Sequence, residues 1–127
     1  MDPNRIRSAA VDEGRPSVLV VEDDLSLRLL CRVNLELEHF HVREATTIDA
    51  ARAAVEEGRP DVVLLDVHLG GEASDVLLEE LRASGIPVVV VTGSADIDSY
   101  RGRADDVLGK PFEPIELVAA AKRHCLR

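Results

Sequence analysis

Aromatic residues are nearly missing from this chain. Phe40, Tyr100 and Phe112 are the whole set in 127 residues. A binder of single-stranded nucleic acid needs a platform on which bases stack, and three scattered rings do not supply one. Lysine is almost as scarce, with Lys110 and Lys122 the only two among fifteen basic residues. Cysteine is limited to Cys31 and Cys125, far apart and at no metal-ligand spacing, which excludes a disulfide framework or a zinc site. Both lie in helical patterns with apolar neighbours and are read as small core residues in a reducing cytoplasm. Long apolar runs are absent too. The longest is Leu117 to Ala121, whereas a membrane-spanning helix needs about twenty residues. Residues 1–16 are polar, contain Pro3, Gly14 and Pro16, and hold no apolar stretch of the kind a signal peptide carries. They are expected to form a disordered tail ahead of one domain, residues 17–127.

Positive charge is in deficit. Fifteen basic residues against twenty-four acidic ones leave −9. Phosphate backbones and anionic lipid surfaces attract basic proteins, so this balance predicts neither a nucleic-acid nor a membrane partner. The chain is nevertheless long enough to bury a core without covalent staples.

What is present is a set of short β-branched blocks. Val18-Leu19-Val20-Val21, Val62-Val63-Leu64-Leu65 and Val88-Val89-Val90-Val91 do not alternate with polar residues. Each therefore reads as a strand buried on both faces, which belongs to a parallel sheet covered by helices. The segments between them are helical. Leu25–Glu38 carries Leu27, Leu30, Asn34 and Leu37 at helical spacing. Thr47–Glu57 opens with a capping-box-like Thr46…Asp49 and stops at Gly58. Ser74–Ala83 ends before Gly85-Ile86-Pro87, and Pro114–Cys125 starts with a proline in its first turn. With weaker strands at Phe40–Ala45 and Asp106–Gly109, the order is β-α five times over. It predicts a doubly wound α/β fold around a five-stranded parallel sheet. The link from Thr92 to Lys110 must supply both a crossover and a strand. A parallel crossover alone takes roughly a dozen residues, so the fourth helix must be short or irregular.

Open parallel sheets bind ligands beyond the carboxyl ends of their strands. Strand 1 ends in Glu22-Asp23-Asp24, strand 3 in Asp66, strand 4 in Thr92 and strand 5 in Lys110. Clustered carboxylates repel one another unless a cation neutralises them. All the ligands are hard oxygens, which suits Mg²⁺. A lysine and a hydroxyl beside such a cation suit a phosphoryl group. A carboxylate can be its nucleophilic acceptor, and Asp66, on the most continuously apolar strand, is the best placed. Asp24 has two readings, as a member of the pocket or as the cap of the helix that follows.

The blocks VLVVEDD (18–24), PDVVLLDVHL (60–69), VVVVTGSAD (88–96) and LGKPF (108–112) resemble the receiver domain of two-component response regulators. The resemblance spans about residues 17 to 126. It implies the flavodoxin-like (βα)5 fold with strand order 2-1-3-4-5. It further implies that Asp66 is the phosphoacceptor and that Thr92 bonds and Lys110 neutralises the phosphoryl group. For Mg²⁺ it implies Glu22, Asp23, Asp66 and the backbone carbonyl of His68. The peptide at Lys110-Pro111 is often cis in this family. The phosphoryl donor would be a sensor histidine kinase or a histidine phosphotransfer protein, acting in the cytoplasm. The chain would catalyse only its own phosphorylation and dephosphorylation, and would signal to an unknown downstream protein by altered contacts.

Two positions depart from the family pattern. Gly70 stands where proline is common, which makes that loop more flexible by composition. Val107 stands where the family often has an aromatic switch. Together with the Thr-Gly at 92–93, these suggest a stand-alone receiver. The alternative is a pseudo-receiver that binds partners without phosphorylation, but the intact set Glu22, Asp23, Asp66, Thr92 and Lys110 argues against it. An aspartate-nucleophile phosphatase would resemble Asp-x-Asp at the end of strand 1, where this chain has Glu22.

Overall fold

In the computed structural model, residues 14–69 and 72–125 are described. Strands β1 (Ser17–Val21), β2 (His41–Ala45), β3 (Val62–Asp66), β4 (Val88–Gly93) and β5 (Asp106–Lys110) form one parallel sheet in the order β2-β1-β3-β4-β5. The helices are α1 (Leu25–Leu37), α2 (Ile48–Glu57), α3 (Asp75–Ala83), α4 (Ile97–Tyr100) and α5 (Pro114–Cys125). This is the flavodoxin-like arrangement expected from the apolar blocks.

Because strand side chains alternate between faces, each block feeds two cores at once. Leu19, Val21, Val63, Leu65, Val88 and Val90 pack with Ala51, Leu77, Leu78, Leu81 and Tyr100, under α2, α3 and α4. Val18, Val20, Val62, Leu64, Val89 and Val91 pack with Cys31, Leu35, Leu117, Ala120 and Ala121, under α1 and α5. Both faces of the central strands are therefore dry, which explains why they show no polar alternation. Cys31 is one of these core residues, and burial pushes its thiol up to about 12. Among the described residues, no helix is long and apolar enough to cross a membrane.

The helix starts refine the sequence reading. Asp24 is the N-cap of α1, and its carboxylate accepts the Leu27 N–H at 2.8 Å. That bond is the capping geometry, and it supports the capping role over the pocket role. The cap of α2 is Thr47, not Thr46. Its hydroxyl accepts from Ala50 N–H at 3.0 Å. Asp49 therefore falls one residue early to close a capping box. Gly58 does end α2, in an extended conformation, with its N–H on the Ala54 carbonyl.

The expected tail, residues 1–16, lies outside the described residues as far as position 13. Its last residues are tied down. The Arg15 guanidinium donates to the carbonyls of His39 and Phe40, and the Pro16 carbonyl accepts from His41 N–H at 2.8 Å.

The short β4–β5 link holds a 3₁₀ turn at Ser94–Asp96 and then the single-turn α4. Tyr100 closes it, buried at 7% exposure among the residues that also take in Val107, with its hydroxyl donating to Asp75 at 2.8 Å. Gly109 gives α4 room to lie close: a Cβ there would stand 2.5 Å from Ile97 Cδ1. Gly70, the position where proline is common in the family, lies outside the described residues.

Candidate functional site

Register brings the polar strand ends within two positions of one another. Val21 is paired with Leu65, Asp66 with Val91, Thr92 with Gly109 and Gly93 with Lys110. Glu22, Asp66 and Thr92 are each at most 5% exposed, while Asp23 is open to solvent. One carboxylate oxygen from each of Glu22, Asp23 and Asp66 lies within 4.8 Å of the others. Such a trio repels itself, and a hard divalent cation is the natural neutraliser.

One ammonium faces the trio. Lys110 Nζ lies 3.3 Å from Asp66 Oδ1 and 3.6 Å from Glu22 Oε1. Asp66 Oδ1 also accepts from the His68 N–H at 3.3 Å. Glu22 accepts the Asp24 N–H at 3.1 Å, and its own N–H donates to the Ala45 carbonyl. Burial pushes the Glu22 carboxyl up to about 7. The bond from Asp24 opposes that rise, the negative charge of Asp66 adds to it, and Lys110 opposes it again. The Arg28 guanidinium donates to the Glu22 carbonyl and pairs with Glu44 of β2, so it steadies the strand end without entering the acid cluster.

Thr92 completes the group. Its hydroxyl is buried and, among the described residues, is the one buried side-chain polar atom without a hydrogen-bond partner. An orphaned buried hydroxyl carries a penalty unless something else fills the role of partner. The expected residues Glu22, Asp23, Asp66, Thr92 and Lys110 are thus gathered at one edge of the sheet. His68 follows Asp66 by two residues, with its ring on the outside, 3.8 Å from Asp96. The Lys110-Pro111 peptide is cis.

Ser74 is a site neighbour that the sequence reading missed. Its hydroxyl donates to the Asp66 carbonyl at 2.8 Å. The only signal was a serine at a helix start, which reads as a cap.

A family model for the response regulator receiver domain matches residues 18–122. The DNA-binding response regulator MtrA of Mycobacterium tuberculosis is 39% identical over 122 residues, covering 92% of this chain and 54% of that protein. The phosphate regulon transcriptional regulatory protein PhoB of Pseudomonas aeruginosa is 32% identical over 114 residues, covering 84% of this chain and 50% of that one. Among solved structures, the receiver domain of NtrX from Brucella abortus superposes with a TM-score of 0.79 at 31% identity, over 85% of this chain and 97% of that one. This chain belongs to the response regulator receiver family of two-component systems.

The chain spans about half the length of the curated relatives it matches. Those relatives correct one expectation. The charge of −9 pointed away from nucleic acid, yet MtrA is by description DNA-binding and PhoB a transcriptional regulatory protein. An acidic receiver region reports its own surface and not the ligand of a whole regulator.

Proposed function

We propose that Asp66 accepts a phosphoryl group from a phosphohistidine on a sensor histidine kinase or a histidine phosphotransfer protein, with Mg²⁺ as cofactor. The observation that carries this reading is the unpartnered Thr92 hydroxyl on the strand next to the Asp66–Lys110 pair. A phosphoryl oxygen would give that hydroxyl the acceptor it lacks.

In the step, a carboxylate oxygen of Asp66 attacks phosphorus. The phosphorus–nitrogen bond to the donor imidazole breaks, and an acyl phosphate forms. Lys110 balances charge on the phosphoryl oxygens, and Thr92 donates to one of them. Glu22, Asp23, Asp66 and the His68 carbonyl would hold Mg²⁺, which supplies charge neutralisation between the acids and the incoming phosphoryl group. Occupation of the site then shifts a two-state equilibrium and changes partner affinity. We place this chemistry in the cytoplasm.

The test is intact mass after incubation with acetyl phosphate, with and without Mg²⁺, on wild type and Asp66→Asn. The expected result is a Mg²⁺-dependent gain of one phosphoryl group that the variant lacks. If a kinase donor and beryllofluoride also leave the folded protein unmodified, the chain is a phosphorylation-independent binding module.

A further inference from the structure

We propose that Ser74 is a positioning residue of the phosphorylation site, holding the backbone that presents Asp66 and the His68 carbonyl. The proposal rests on the reading of Asp66 as phosphoacceptor. Ser74 stands at the start of α3, where a serine ordinarily caps the helix by accepting from an N–H in its first turn. Here the side chain makes no such bond. The residue is 1% exposed, and its hydroxyl turns back across the loop to donate to the Asp66 carbonyl at 2.8 Å. Its own N–H donates to the next carbonyl, that of Val67, at 3.1 Å. One residue therefore grips two successive peptides where β3 ends.

Two pairs of described residues tie the intervening stretch together. His68 is paired with Ala73 and Leu69 with Glu72 in a short antiparallel hairpin. The His68 N–H reaches the Asp66 carboxylate at 3.3 Å. The peptides of residues 66 to 68 thus sit between a buried hydroxyl at one end and the acid cluster at the other. Without the Ser74 hydroxyl, the Asp66 carbonyl loses its buried donor, and the peptide it belongs to is held only through the Val67 N–H on the Val91 carbonyl, at 3.3 Å. The first group to lose its aim is the His68 carbonyl. Residues that orient a ligand in this way tune metal affinity strongly, although they never touch the metal.

The experiment is a calorimetric Mg²⁺ titration of wild type, Ser74→Ala and Ser74→Thr, with phosphorylation by acetyl phosphate measured on the same samples. Urea unfolding establishes that each variant is folded. Ser74→Ala is expected to weaken Mg²⁺ binding about tenfold, and Ser74→Thr, which keeps the hydroxyl, to stay within about twofold of wild type. Amide exchange at Val67 and His68 should accelerate in Ser74→Ala alone. Wild-type Mg²⁺ affinity in a folded Ser74→Ala overturns the proposal. So does an equal loss in both variants, since the hydroxyl would then not be the cause. A wild type that binds Mg²⁺ but takes no phosphoryl group overturns the phosphoacceptor reading instead, and the Mg²⁺ series still decides Ser74.

Discussion

The two ends of the sheet use the same residue type to opposite ends. At the amino edge, Asp61 and Asp105 each precede a strand and clasp the first residue of its neighbour. Asp61 accepts the Ser17 N–H at 2.7 Å and returns its own N–H to the Ser17 carbonyl at 2.8 Å. Asp105 does the same with Val88, at 2.8 and 2.9 Å. At the carboxyl edge, Glu22, Asp23 and Asp66 face one another across less than 4.8 Å with a single nearby ammonium, and the Thr92 hydroxyl beside them has no partner. A carboxylate that faces a strand N–H and no second carboxylate is structural. One surrounded by other carboxylates is chemical potential awaiting a cation. Counting acidic residues cannot separate the two cases, whereas their partners do.

The largest effect expected is the complete loss of phosphoryl transfer in Asp66→Asn, read by intact mass, with Asp61→Ala and Asp105→Ala transferring like wild type. Loss of phosphorylation in the amino-edge variants would break the contrast.

Stability should move in opposite directions. Asp61→Ala or Asp105→Ala strips a strand N–H of its acceptor and should cost about 1–3 kcal/mol in urea unfolding. Asp66→Asn relieves repulsion and should leave the metal-free protein more stable, by on the order of 1 kcal/mol. A less stable Asp66→Asn would show that Lys110 already balances the cluster.

Acidity sharpens the contrast further. Glu22 has a folded-state value of about 7 against an ordinary 4.5, so the folded protein holds the extra proton between those values. Its contribution to stability is full below 4.5 and is lost as pH rises through about 7. Metal-free protein should therefore melt higher near pH 6 than near pH 8 on account of this group, and Glu22→Gln should flatten that difference. Mg²⁺ binding should weaken over the same fall in pH, because the proton competes for the carboxylate.

The smallest expected effect is that of His68→Ala. The ring is exposed, and its pairing with Asp96 spans 3.8 Å. An exposed pair of that kind is worth little, so stability should change by roughly 0.5 kcal/mol or less. Phosphoryl lifetime should change more than Mg²⁺ affinity, because the carbonyl survives the substitution. Equal lifetimes by mass spectrometry would remove the ring from the reaction.

Much of this was legible beforehand because the fold depends on burial. Val62–Leu65 is dry on both faces, so its strand had to be central, and Asp66 had to emerge at its carboxyl end. The same logic placed Glu22, Thr92 and Lys110, and the brief link between the last two forced α4 to be short. Local polar choices were less legible. Thr46 and Thr47 are chemically equal as caps, and only the path of the chain selects Thr47. Ser74 looks like a cap in sequence because nothing local reveals that its hydroxyl turns back toward Asp66. Arg15 looked like tail because its acceptors, the carbonyls of His39 and Phe40, lie across the sheet edge. The nucleic-acid expectation failed for a different reason, since net charge describes the surface of this region alone.

The aspartate clasps at the amino edge also make the sheet a ruler. From each clasped residue the chain runs five positions to a working one: Ser17 to Glu22, Asp61 to Asp66, Asp105 to Lys110. Val88 runs four to Thr92, on the neighbouring strand. The origin of measurement lies roughly 17 Å from the chemistry, at about 3.3 Å per residue. A single residue inserted into any of these strands would keep its clasp, carry its working side chain one position past its place in the register, and turn it to the opposite face. The length from clasp to tip is thus a fixed gauge in the mechanical sense, and a tolerant loop elsewhere cannot restore it.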